Sequence, residues 1–108
     1  MKTLQFKVSG QTLNVIDIPM DLVKGTRNYL QCAFSFDGAE WSGCKVVAEF
    51  GDGRAVPIID YTCPVPDESA AKQYFKLRLI GVRGDYRIVT NYVIIKQGVK
   101  EKFSDLRK

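Results

Sequence analysis

Between Asn28 and Phe50 the chain reads NYLQCAFSFDGAEWSGCKVVAEF, two runs that alternate apolar and polar residues across a turn-rich link holding the only tryptophan. A period of two belongs to a half-buried strand and does not fit a helix of 3.6 residues per turn. In the first run Leu30, Cys32, Phe34 and Phe36 share one side, with Tyr29, Gln31, Ala33 and Ser35 on the other. In the second, Cys44, Val46, Ala48 and Phe50 are expected inward, with Lys45, Val47 and Glu49 outward. One apolar face per strand predicts an antiparallel sandwich. In the link, Asp37-Gly38 supplies turn chemistry. Trp41 is expected to fold back over an open end of the core. The sharpest expectation is that Cys32, Phe34, Val46 and Ala48 are buried together with Trp41 packed on them.

The remaining chain supplies further strands. Leu4, Phe6 and Val8 alternate with Gln5 and Lys7, Ser9-Gly10 marks a turn or bulge, and Leu13 and Val15 resume the pattern. This predicts a split or kinked first strand at a sheet edge, ended by Pro19. Gly51-Asp52-Gly53 predicts a hairpin loop leading to an edge strand at Ala55–Ile59, demoted by Pro57. DYTCPVP predicts an extended crossing segment, followed by one helical turn with Asp67 as a cap. Phe75, Leu77 and Leu79 form another strand, and Gly84-Asp85 a two-residue hairpin turn. RIVTNYVIIKQ predicts the final strand, with a bulge or a change of sheet at Thr90-Asn91. The expected fold is all-β: an immunoglobulin-like antiparallel β-sandwich of seven to eight strands over residues 1–98, with a tail at 99–108. A small closed barrel is the second architecture.

With no histidine in 108 residues, Ser-His-Asp and Cys-His catalysis and Cys/His zinc sites are excluded. The three cysteines, Cys32, Cys44 and Cys63, are odd in number and widely spaced, so buried free thiols in a reducing cytoplasm are expected. No run approaches the ~20 apolar residues of a membrane span, and no signal peptide is read at the N-terminus. The formal charge of +4 is scattered rather than striped, so neither nucleic acid nor membrane is expected as a partner. Gly51–Gly53 lacks the rest of a phosphate loop, and the loop aspartates Asp37, Asp52 and Asp85 do not form an EF-hand pattern. Arg83-Gly84-Asp85 reads as hairpin turn chemistry rather than as a recognition tripeptide. No catalytic, metal or cofactor residue is assigned. A carbohydrate-binding surface built on Trp41 and the tyrosines is the alternative of a different class.

Several short motifs carry a resemblance. Phe34-x-Phe36, the acidic turn at Asp37, Trp41 followed by Gly43, and Ala48-x-Phe50 come first. Pro19 to Val23 precede them, and Cys63-x-Val65-Pro66, a strand ending at Gly81 and Thr90-Asn91 before Ile95 follow. With these the chain resembles small immunoglobulin-like structural proteins of tailed phages and prophages. The resemblance implies a non-enzymatic virion component, made in the bacterial host cytoplasm. Its role would be an assembly or adaptor module of tail, baseplate or fibre attachment, or alternatively a capsid decoration protein. Its partners would be other phage virion proteins, in a homo-oligomer or multi-copy assembly. On that reading the contacts are expected at Tyr29, Tyr74, Phe103, Leu106 and Arg107. Strand addition is expected at the edges Leu4–Val8 and Ala55–Ile59.

Overall fold

Alternation of burial along the chain builds nine strands and one helical turn in the computed structural model, which describes residues 2–18, 22–51 and 53–97. The strands are β1 Lys2–Ser9, β2 Thr12–Asp17, β3 Leu30–Asp37, β4 Lys45–Phe50, β5 Ala55–Pro57 and β6 Thr62–Pro64, then β7 Tyr74–Arg83, β8 Tyr86–Val89 and β9 Val93–Lys96. The turn α1, Asp67–Ala70, lies between β6 and β7. One sheet has the order β2-β1-β3-β6 and the other β5-β4-β7-β8, with β9 also paired to β7. Apolar side chains alternate inward from both sheets: Leu4, Phe6, Val8, Cys32 and Phe34 from one, Ala48, Phe50, Leu77, Leu79 and Ile95 from the other. Phe6 and Phe34 stack with ring centroids 5.2 Å apart.

The β-sandwich is as expected; several particulars differ. Nine strands replace seven or eight because the segment read as one final strand is two, β8 and β9, lying end to end along β7, and because the crossing segment DYTCPVP pairs with β3 as β6. The sheets are not wholly antiparallel, since β1 and β3 are parallel from Lys2↔Leu30 to Ser9↔Asp37. The strand order therefore does not establish the immunoglobulin-like topology, whose sheets are antiparallel throughout. Gly10, at φ 56°, turns a β1–β2 hairpin rather than kinking one strand. β3 pairs with β1 on the side away from β2, which places β1 inside the sheet and removes Leu4–Val8 as an edge. Asp67 does not cap α1; its Oδ1 accepts from the Asn28 N–H at 3.3 Å instead. The tail at 99–108 lies outside the described residues.

Trp41 closes one end of the sandwich. Its indole is 5% exposed, donates from Nε1 to the Gly10 carbonyl at 2.7 Å, and lies 5.5 Å from the Phe36 ring. Cys32, Phe34 and Ala48 are buried in the same core, while Val46 and Cys44 pack on it half-buried at the mouth of that end.

The slip at Thr90-Asn91 has a physical cause. Thr90 turns its hydroxyl inward, where Oγ1 accepts from the Leu79 N–H at 2.9 Å. Asn91 reaches across to the other sheet. Its Oδ1 accepts from the Leu13 N–H at 2.8 Å, its Nδ2 donates to the Leu13 carbonyl at 3.3 Å, and its own N–H donates to the Gln11 carbonyl. A carboxamide thus acts as a one-residue strand partner for β2. Asn91→Ala is expected to lose about 1–3 kcal/mol by urea denaturation, because both Leu13 groups lose their partner. Asn91→Asp should cost at least as much, since a carboxylate has no donor for the Leu13 carbonyl.

Candidate interaction surface

Recognition by a sandwich falls to its edges, its loops or its outer faces, and three of the edge strands, β5, β6 and β2, carry features that obstruct strand addition. The β5 edge holds Pro57, which lacks an N–H at a position where the register points the backbone outward. On the β6 edge Pro64 also lacks a donor, and Thr62 exchanges N–H and carbonyl bonds with Ile59 at 3.1 and 2.9 Å. That exchange closes a two-residue turn in which Asp60 and Tyr61 both have positive φ, 54° and 65°. On β2, Asn91 occupies both edge groups of Leu13. Strand addition at Ala55–Ile59 is therefore left with few free backbone groups, which is how native sheets guard against edge-to-edge association.

The outer faces differ in chemistry. That of the four-stranded sheet presents mostly neutral polar residues, among them Thr3, Gln5, Ser9, Asn14, Gln31 and Ser35, with Lys7 set against Asp17 and Asp37. Across the five-stranded sheet the register aligns Pro57, Val47, Ile80 and Val89 from β5, β4, β7 and β8 in one row. With strands about 4.8 Å apart, this apolar row spans roughly 14 Å. On one side lies the row Lys45, Val82 and Arg87. On the other lie Glu49 and Arg78, then Lys76 beside Ile94 and Tyr74 beside Lys96. Val82, Tyr74 and Ile94 are exposed. At the Pro57 end the row opens into a groove of about 850 Å³ that also holds Lys45, Asp60, Phe36, Ile58 and Tyr61.

The charges of this face are partly organised among themselves. Arg78 Nε donates to Glu49 Oε1 at 2.5 Å, and the Tyr92 hydroxyl donates to the same oxygen at 3.2 Å. Lys76 and Arg78 sit 4.7 and 5.0 Å from the Tyr92 ring centre. The Arg78 hydrogen bond is the main reason the Glu49 carboxyl is held below its ordinary value of 4.5. A folded pKa below the unfolded one means that the stabilisation is in place above about 4.5 and is lost as pH falls through the lower folded value. The stability gap between wild type and Glu49→Gln, followed by urea denaturation, is therefore expected to close as the solution is acidified below that value.

The expected contact residues are not brought together. Tyr74 is on this face, 58% exposed. Tyr29 precedes β3 on the outer side of the other sheet, and its carbonyl accepts from the Lys2 N–H at 2.9 Å. Phe103, Leu106 and Arg107 lie outside the described residues. Trp41 is buried, so it offers no stacking platform for a sugar. Arg83 of the hairpin tip donates to the Ser42 carbonyl and lies 4.4 Å from the Tyr86 ring centre, so its guanidinium serves the closed end. Sequence reading missed the row itself. The available signal was the β-branched side chains at outward positions, Val47 and Ile80, on strands whose inward positions were already apolar.

Comparison with family models, with curated proteins and with solved structures finds no match to this chain.

Proposed function

We propose that this chain is a non-enzymatic assembly module that works by protein–protein contact, as a component of a tailed-phage virion. The observation that carries the contact is the apolar row Pro57–Val47–Ile80–Val89 with its charged flanks. A half-buried apolar centre on an outer face, with a polar, charged rim, is the anatomy of a protein interface. Obstructed edges at β5, β6 and β2 suit a part stored as a soluble component before docking, since they suppress indiscriminate strand pairing. The virion setting rests on the resemblance at Phe34–Phe50 and Thr90–Ile95. Mass spectrometry of purified particles tests it. The expected result is a fixed copy number per particle, with a few to tens of copies assigning the chain to the tail and hundreds to the capsid surface. Absence from particles overturns the proposal.

A further inference from the structure

We infer that the outer face of the five-stranded sheet docks an acidic protein partner, one that presents carboxylates around an apolar or aromatic centre. This rests on the assembly reading above and adds the partner's chemistry. The face carries five cations, Lys45, Lys76, Arg78, Arg87 and Lys96, and one carboxylate, Glu49. Glu49 is already held by Arg78 and Tyr92. No ion pair engages Lys45, Arg87 or Lys96 among the described residues, and these three lie on both sides of the apolar row. The opposite outer face sets Lys7 against Asp17 and Asp37, so the positive field is a property of this surface and not of the whole chain. Complementary charge of that kind speeds encounter and fixes register, while the desolvated row supplies the hold.

Two other occupants fit less well. A second copy meeting the face through a two-fold axis would bring five cations from each copy together with a single carboxylate from each, Glu49, which Arg78 and Tyr92 already hold. Single-stranded nucleic acid binds by stacking bases on open aromatic rings. Here the centre is aliphatic at Val47, Ile80 and Val89, the Tyr92 ring is taken by Lys76 and Arg78, and the open rings of Tyr74 and Tyr61 stand apart at opposite margins of the face instead of forming a continuous platform.

The test uses the full chain, labelled with nitrogen-15, and three probes: a random Glu,Tyr copolymer, poly-glutamate of matched length, and oligo(dT). The copolymer is expected to bind about tenfold or more tightly than poly-glutamate, because only it fills the apolar row. Amide shifts are expected at Val47, Ile80, Val82 and Val89. Double charge reversal, Lys45→Glu with Arg87→Glu, alters exposed side chains only and is expected to weaken the copolymer about tenfold or more with the rest of the spectrum unchanged. Equal binding of both polypeptides overturns the inference, as does unchanged affinity of the variant or shifts confined to other surfaces. Tighter binding of oligo(dT) through the same amides also overturns it, in favour of nucleic acid. Sedimentation showing a dimer that the charge reversal dissolves overturns it in favour of a second copy. A chain present in particles that fails the copolymer test keeps the assembly reading and loses this face.

Discussion

Trp41→Ala is expected to destabilise the fold by about 3–5 kcal/mol, the cost of emptying a large buried aromatic site. In a domain whose total stability is about 5–15 kcal/mol, that brings the variant close to unfolding at ambient temperature. The loss exceeds that of an ordinary surface aromatic because Trp41 joins three chain segments. It takes the Gly10 carbonyl of the β1–β2 turn, leans on Phe36 at the end of β3, and covers Gly81 in β7. Gly81 is the reason the indole fits. A Cβ built there falls 2.7 and 2.8 Å from Trp41 Cζ3 and Cε3, closer than real contacts allow. Its partner in β4 is Val46, so the strand cannot move away without breaking the β4–β7 ladder. Gly81→Ala is accordingly expected to cost about 1–3 kcal/mol as an overpacked site. In the Trp41→Ala background most of that cost should disappear, because the clashing ring is gone. A double-mutant cycle by chemical denaturation measures the coupling. Additive losses would mean that Gly81 matters for the backbone and not for the indole.

This pair also marks how far the sequence carries. The strands of Asn28–Phe50 were legible because period-two alternation reports burial directly, and Phe34, Ala48 and Phe50 lie in the core accordingly. Alternation says nothing about which strand is the neighbour or in which direction it runs, so the parallel β1–β3 pairing was not legible. The phase of Cys44 and Val46 was correct but their depth was not. They sit at the mouth of the sandwich, where the end plug and not an opposing sheet covers them. The break at Thr90-Asn91 was visible as lost alternation. Its cause was not, because the partners of Asn91 are Leu13 and Gln11, nearly eighty residues away. The candidate surface was hidden for another reason. Val and Ile are favoured in strands whether they face core or solvent, so Val47 and Ile80 carry little information until the register lines them up with Pro57 and Val89.

In native buffer one cysteine of three is expected to react quickly with a thiol reagent, and all three should react in denaturant. Cys44 is the reactive one: it is half-buried in the end plug, with Sγ 3.9 Å from the Glu40 carbonyl. Cys32 and Cys63 are direct partners across β3 and β6, 0% and 2% exposed. The Cys32 thiol is pushed well above its ordinary pKa, first by its hydrogen bond with Cys63 and then by burial, and the thiolate is the reacting species. Both cysteines should therefore react only through opening of the fold, slowed roughly 10³-fold or more relative to Cys44. Cys44→Ser should leave no fast thiol. The measurement also probes the β6 seam that the edge argument depends on. Cys63 lies between Thr62, whose edge groups bond Ile59, and Pro64, which has no donor to offer. A second fast thiol in the native protein would mean that β6 peels away from β3. The sandwich would then present an open edge at Leu30, Cys32 and Phe34, and strand addition would return as a mode of docking.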